Sequence, residues 1–274
     1  MSTVLVPTDL GAAQEWVMRF CSGLGSLGVK RVVCCHVVDA TGLEGPVIAA
    51  KMDASRKALK RAVEPIEAAG FEVWLRVSSG EPERELTLVA AEEHIDAIVA
   101  GSSGKHPLDR MFVGSVVERL ARDGGIPSLS LRYDMLRASS DPAELARMFG
   151  RMLLVPTDFS EAAERATDLA LSFPKTAIGS IRLLNVAAAG SPAEESAEAE
   201  LKVSVEKAKA LGIHATPVVG HGAPEKAIIS EIASCGITGV VMGSRGRSVL
   251  QQALMGSVSM TLIRQATVPV LIVP

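Results

Sequence analysis

Gly243-Ser-Arg-Gly246, nine further residues, then Gly256-Ser257-Val-Ser259: this stretch follows the apolar run Val240-Val241-Met242 and leads into a helix-compatible segment ending near Gln265. A strand, a glycine-bearing loop and a helix start, in that order, expose backbone N–H groups at the carboxyl edge of a parallel sheet, where anions bind. Glycines at 243 and 246 keep side chains out of a ligand's path and allow φ > 0 where the turn needs it. Gly256 and Ser257 put N–H groups and a hydroxyl at a helix N-terminus, whose dipole favours negative charge. The nine-residue spacer lets the chain leave the site and return to it. One such loop is weak evidence, because glycines after a strand also make plain tight turns. The chain has two: Ala97-Ile-Val-Ala100 is followed by Gly101-Ser-Ser-Gly104, nine residues, and Gly114-Ser115. Neither is a Walker A loop or a G-x-G-x-x-G dinucleotide fingerprint.

Other segments repeat with the loops. Val4-Leu-Val-Pro7-Thr8-Asp9 returns as Leu153-Leu-Val-Pro156-Thr157-Asp158, and His36-Val37-Val38 as Asn185-Val186-Ala187, both at an offset of 149. Gly80-Glu-Pro82 returns as Gly222-Ala-Pro224, and Ile126-Pro127 as Val268-Pro269, at the loops' offset of 142. The second copy therefore lacks about seven residues between strands two and three, and holds register elsewhere. This is a duplication.

Each copy alternates strands and helices. Strand one (3–6; 152–155) stops at Pro-Thr-Asp, whose Thr or Asp can cap the next helix (12–24; 162–173). Strand two (32–38; 181–186) precedes a longer helix (49–69; 192–211) closed by Gly70 or Gly212 at C′. Strand three (72–77; 215–219) alternates apolar and polar residues in the first copy, which predicts a place near a sheet edge. Pro82 and Pro224 suit the first turn of a third helix. Strand four enters the glycine loop and a fourth helix, and strand five (128–131; 269–273) ends the copy. The fold class is α/β: two tandem doubly wound domains, each with a five-stranded parallel sheet and about four helices. The expected domains are 1–133 and 151–274. In the linker, 134–150, Asp141-Pro142-Ala-Glu144 predicts a short helix through an N-cap, an N1 proline and a capping-box Glu.

The totals fit this plan. A chain of 274 residues suits two domains, 48% of it is apolar, and only 3% is aromatic. A net charge of −3 and a pI near 6.0 argue against a nucleic-acid partner, which draws on a basic stripe. No apolar run has a membrane span's length of roughly 18–20 residues, and Met1-Ser-Thr-Val-Leu-Val-Pro7 does not read as a signal peptide. Cys21, Cys34, Cys35 and Cys235 lack C-x-x-C spacing and read as buried thiols of a reducing cytosol, with Cys34 and Cys35 on opposite faces of strand two.

Asp9 and Asp158 come just past strand one, at the same sheet edge as the loops. A carboxylate there can accept hydrogen bonds from ribose hydroxyls or an adenine amine, or help to hold Mg²⁺. Val37 and Val186, at the end of strand two, are core residues by type, but their backbone could read an adenine edge. Arg245 and Arg247, and Lys105, His106 and Arg110 in the first copy, are candidate phosphate cations that could equally be solvated loop charges. His36 reads as a structural histidine. His106-Pro107 has no Cys or carboxylate at ligand spacing, so no metal site is expected.

Pro-Thr-Asp, His-Val-Val and G-x-x-G-x9-G-S together resemble the universal stress protein family in its tandem form, across essentially the whole chain. The resemblance implies a Rossmann-like fold in each domain and binding of ATP or AMP, with or without Mg²⁺. Carried onto this sequence, the second-domain site is Pro156, Thr157, Asp158, Val186, Met242, Gly243, Arg245, Gly246, Gly256, Ser257, Val258 and Ser259. The first-domain site is Pro7, Thr8, Asp9, Val37, Ala100, Gly101, Ser103, Gly104, Gly114, Ser115 and Val116. The first departs from the pattern at Val117, opposite the hydroxyl of Ser259, and at Ala100, where methionine is common. One lost hydroxyl–phosphate bond is worth about 1 kcal/mol, so the second site is expected to be the stronger. The resemblance also implies that the two domains pair within the chain through strand five, and it leaves a homodimer open. No H-x-G-H, S-G-G-x-D-S, G-x-S-x-G or HExxH motif is present. The expectation is a cytoplasmic, nucleotide-binding regulatory or stress-response protein and not an enzyme. Weak ATP hydrolysis stays open, and so does an interaction module with empty pockets.

Overall fold

The computed structural model describes residues 1–11, 13–102, 125–246 and 255–274. The chain divides into two compact units, Met1–Ala146 and Arg147–Pro274.

In the first unit, β1 (Thr3–Pro7), β2 (Arg31–Val38), β3 (Glu72–Ser79), β4 (Ala97–Ser102) and β5 (Ser128–Arg132) lie parallel in the order β3-β2-β1-β4-β5. In the second, β6 (Met152–Pro156), β7 (Ser180–Val186), β8 (Ala215–Gly220), β9 (Gly239–Gly243) and β10 (Val270–Val273) repeat it as β8-β7-β6-β9-β10. The chain steps outward from the first strand to the third, then crosses back to lay the fourth on the first strand's other side. That reversal opens a crevice at the carboxyl ends of strands one and four, where α/β sheets take their ligands. It brings Pro-Thr-Asp to the first glycine of the loop in each copy.

Helices cover both sheet faces, so the central strands are continuous apolar runs. Val4, Leu5, Val6, Leu153, Leu154 and Val155 are wholly buried. Cys34 Sγ lies 4.0 Å from Met18 Sδ of the helix Gln14–Cys21. Cys35 packs with Leu86 and Val89 of the helix Pro82–Glu92 on the opposite face. β3 is at the sheet edge, as its alternation predicts, with Trp74 exposed and the Arg31 guanidinium 4.7 Å from its ring centre.

Three elements differ from expectation. The helix expected over 49–69 is Gly45–Ala62 followed by Glu64–Ala68. Pro65 has no N–H for the carbonyl four residues back, and the helix breaks there. Gly70 and Gly212 still end their segments with φ of +85° and +74°. The expected linker holds two helices, Tyr133–Ala138 and Pro142–Met148. Asp141 starts the second as foreseen, its Oδ1 accepting the Ala143 N–H at 3.0 Å. Finally, Thr8, Asp9, Thr157 and Asp158 do not cap the first helix of their copy. The helix Gln14–Cys21 has no side-chain cap, and Ser160 caps Glu161–Ser172.

Candidate functional site

The Pro-Thr-Asp segments turn on their own side chains. Thr8 Oγ1 accepts the Leu10 N–H at 3.0 Å, and Asp9 Oδ1 accepts the Gly11 N–H at 2.8 Å. Thr157 Oγ1 and Asp158 Oδ1 accept the N–H groups of Phe159 and Ser160 at 3.0 and 3.1 Å. These local bonds compete successfully with helix capping. They hold Leu10 and Phe159 at φ of 60° and 59°, a left-handed conformation that bulky residues seldom adopt and that collects at functional sites. Strand two anchors the turn. The N–H groups of Thr8 and Thr157 donate to Cys35 O and Leu184 O at 2.9 and 2.8 Å. His36 Nδ1 and Asn185 Nδ2 each lie 2.8 Å from the carbonyl oxygen of the turn's threonine. A carbonyl only accepts, so His36 carries its proton on Nδ1. The repeat has kept a donor there and changed the residue.

In the second copy, all twelve expected positions line one cavity of about 280 Å³. Ala163, Leu184, Asn185, Pro224 and Ile228 complete its lining among the described residues. The glycine loop is pinned where it leaves and where it returns. Ser244 N–H donates to Val273 O at 2.7 Å, and Ser244 O accepts the Gly256 N–H at 2.9 Å. Ser259, 2% exposed, donates its hydroxyl to Gly243 O and Ser244 O at 3.1 and 3.2 Å. That hydroxyl clamps the loop. Ser257 is exposed, and no side chain caps the helix Ser257–Gln265, whose first-turn residues Ser257, Val258 and Ser259 line the cavity. Gly246 lies against Asp158: a Cβ there would sit 2.5 Å from Asp158 Oδ2. Val186, Ile228 and Met242 give the cavity an apolar wall, and Arg245 adds a cation. An apolar wall, a carboxylate, a cation and an uncapped helix start suit a flat, amphiphilic ligand that bears an anion.

In the first copy, four of the six expected residues that are described share a cavity. Pro7, Thr8, Asp9 and Val37 line a cavity of about 480 Å³ with His36, Asp39, Lys51, Ser55, Pro82 and Leu86. It lies over β2 and the helices Gly45–Ala62 and Pro82–Glu92. Ala100 is buried in the core beside Leu5 and Ile98, and Gly101 lies under the ring of Tyr133. Neither lines that cavity among the described residues. Ser103, Gly104, Gly114, Ser115 and Val116 lie outside the described residues, as do Lys105, His106, Arg110, Val117 and Arg247.

Residues 1–132 and 150–274 match the profile of the universal stress protein family. The chain belongs to the universal stress protein family. A family member from Methanocaldococcus jannaschii is 28% identical over 151 residues, which cover 47% of this chain and 93% of that protein. One from Mycobacterium tuberculosis is 28% identical over 194 residues, covering 68% of this chain and 64% of its own length. The crystal structure of a universal stress protein from Archaeoglobus fulgidus superposes with a TM-score of 0.79 at 26% identity, covering 99% and 97% of the two chains.

Against this tandem universal stress protein, sequence reasoning missed the apolar contributors Ala163, Leu184 and Ile228 and the role of Asn185. Asn185 was visible as the repeat partner of His36, and the shared N–H donor was the clue. Nothing in Leu10 or Phe159 announces a left-handed backbone. Among the described residues, no three His, Cys, Asp or Glu side chains cluster to hold a metal, and no helix is long and apolar enough to cross a membrane.

Proposed function

We propose that this protein binds an adenine nucleotide, ATP or AMP, with or without Mg²⁺, and acts as a cytoplasmic stress-response or regulatory module. The observation that carries the reading is the second-copy cavity. There the uncapped N-terminus of the helix Ser257–Gln265, the Asp158 carboxylate and the apolar side chains of Val186 and Met242 share one space. Backbone N–H groups would take phosphate oxygens, the carboxylate would accept from ribose hydroxyls or the adenine amine, and the apolar wall would cover the base. Three or four charge-assisted bonds at about 1.5–3 kcal/mol each, less the cost of ordering, support roughly micromolar affinity. The second copy is the principal site in this reading. The first copy's loop residues are the weaker set. The reading is a binder and not an enzyme. The domain limits 1–133 and 151–274, and pairing of the copies through their fifth strands, are carried by the family resemblance.

Isothermal titration with ATP and with AMP tests it, giving affinity and stoichiometry together. The expected result is micromolar binding, with a melting temperature that rises with nucleotide concentration. No heat and no shift at millimolar ATP, ADP or AMP would replace this reading with an interaction module whose pockets stay empty. Multiple turnovers of phosphate release, lost in Gly256→Val, would replace it with a slow ATPase.

A further inference from the structure

The two cavities differ at the end of strand two. In the second copy, Leu184, Asn185 and Val186 of β7 line the cavity, and the helix that follows, Pro192–Ala210, adds no residue to it among the described residues. In the first copy, the lining runs along β2 from Cys35, past the strand's last residue, to Asp39. The helix Gly45–Ala62 then adds Lys51, Ala54 and Ser55. The repeat puts Ala188 where the first copy has Asp39. On this side, therefore, the second cavity ends without a charge, and the first ends in an ammonium and a carboxylate.

The two charges do not neutralise each other. Asp39 Oδ1 accepts the Thr41 N–H at 2.9 Å and the Thr41 hydroxyl at 2.6 Å. Those bonds, and then the charge of Lys51, hold the carboxyl below the ordinary aspartate pKa, so it is ionised at pH 7. Lys51 is near enough to be felt there, yet among the described residues it forms no ion pair with Asp39 or with another carboxylate. Lys57, further along the same helix, is by contrast paired with Asp53 at 2.8 Å. Asp39 Oδ2 and the Lys51 ammonium are thus left for what enters the cavity. An ammonium only donates and a carboxylate only accepts. A base edge that sets a carbonyl beside an N–H satisfies both at once, and the O6 and N1–H of a 6-oxopurine are such a pair. Adenine in the same pose would turn its amine to the ammonium and its N1 lone pair to the carboxylate. Where lysine reads bases in nucleic acids, its usual partner is likewise guanine, through O6 and N7.

We propose that the first copy is a guanine-nucleotide site, in which Lys51 and Asp39 are specificity-determining residues that read the O6 and N1–H of the base. This rests on the nucleotide reading, with the base at the strand-two end of the cavity. Gly246→Val in the full chain silences the second copy and leaves the first to be titrated alone. GTP is expected to bind there about tenfold more tightly than ATP, the discrimination that one good base contact gives. ITP keeps O6 and N1–H but lacks the 2-amino group, and it is expected to follow GTP. Adding Lys51→Met is expected to lower GTP affinity about tenfold and to leave ATP unchanged. Lys51→Arg, which also only donates, is expected to keep the preference. Lys51 is exposed, so both variants are expected to melt with their parent in the absence of nucleotide. In the Gly246→Val protein, ATP binding as tightly as GTP, ITP following ATP, or GTP binding indifferent to Lys51→Met overturns the assignment. ATP binding to the wild type beside any of these results leaves the nucleotide reading intact. No binding of ATP, GTP or ITP by the wild type overturns both.

Discussion

Replacing Gly246 by alanine separates binding from folding. The added Cβ would stand 2.5 Å from Asp158 Oδ2 and 3.5 Å from its Cγ. The first distance is about 0.5 Å inside the closest approach real Cβ atoms make, so something shifts. The obstructing atom is the tip of a side chain, and moving the carboxylate strains its bond from the Ser160 N–H, at about 0.5–1.5 kcal/mol. Gly246 does not need a positive φ, so alanine also narrows the unfolded ensemble, worth about 0.4–1 kcal/mol in the variant's favour. The two effects oppose each other, and the nucleotide-free protein should melt close to wild type. Binding should suffer. A carboxylate turned from its position loses a charge-assisted hydrogen bond of about 1.5–3 kcal/mol, or roughly ten- to hundredfold in Kd. At a nucleotide concentration one hundred times the wild-type Kd, the wild type gains about 2.7 kcal/mol of stability and the variant only about 0.4–1.4 kcal/mol. Calorimetric titration and thermal melts with and without ATP read both quantities. Gly243→Ala is the contrast. Its Cβ meets helix backbone at 2.8 and 2.9 Å, which cannot swing away, so overpacking should cost about 1–3 kcal/mol before any ligand is added. Wild-type affinity in Gly246→Ala would refute a binding role for Asp158. A collapse of its melting temperature equal to that of Gly243→Ala would show the contact to be structural.

The remaining expectations concern single side chains. Ser259→Ala should lower stability by about 0.5–1.5 kcal/mol in chemical denaturation, because it unclamps Gly243 O and Ser244 O. Ser257→Ala, at an exposed hydroxyl, should leave stability within about 0.5 kcal/mol and weaken ATP binding instead. Burial pushes the Cys34 and Cys35 thiols up to about 12 and raises Cys21 well above the usual thiol value, while Cys235 is half-exposed. A thiol reagent at pH 7.5 should therefore label one cysteine in the native protein and four after denaturation; fast labelling of two or more would contradict the buried placement. Partial burial raises the Asp96 carboxyl, but hydrogen bonds from the Thr3 and Ser2 N–H groups and the Ser2 hydroxyl outweigh it and hold its pKa below the ordinary aspartate value. A folded pKa below the unfolded one stabilises at neutral pH, and that stability is lost as pH falls below about 4. Asp96→Asn should thus lower the melting temperature at pH 7 and make progressively less difference below pH 4; an equal effect at both would sink the linkage.

The parallel sheets and the gathering of the twelve second-copy positions around one cavity were legible because they rest on signals that repeat. Two glycine loops at one spacing and two Pro-Thr-Asp turns at one offset place each other, since the crossover that follows strand three must bring strand four back beside strand one. Edge position was legible from the alternation in Glu72–Ser79. What stayed hidden depends on contacts between elements. Thr8 and Asp158 look like helix caps because caps and side-chain turns use the same oxygens, and only the left-handed φ of the following residue separates them. The loop clamp made by Ser259 stayed hidden because its carbonyl partners lie 15 and 16 residues back in the sequence. On a helix, two residues from Ser257 turn the side chain to another face, and Ser259 meets the strand-four carbonyls. The extra helix Tyr133–Ala138 carries no proline or glycine punctuation, so it read as linker.

Comparison of the copies shows which parts of the site are held by chemistry and which by space. At strand two, His36 and Asn185 differ in size and charge behaviour, yet each offers one N–H to the same carbonyl, so the turn keeps its shape to within a degree of φ at Leu10 and Phe159. A hydrogen bond tolerates any residue that brings the donor to the right place. At strand four, Gly101 and Gly243 are identical, yet one lies under a phenol and the other under a helix turn. A glycine makes no demand on what lies against it and only permits close approach, so an identical residue there guarantees nothing about the space around it. The change that decides that space is Gly11 in place of Ser160. Ser160 both caps its helix at Ala163 and donates to Arg245 O at 3.4 Å, tying the start of the first helix to the glycine loop. Glycine can make neither bond. In the first copy the described helix starts at Gln14, and the Tyr133 ring lies against Gly101 where the second copy has its helix turn against Gly243.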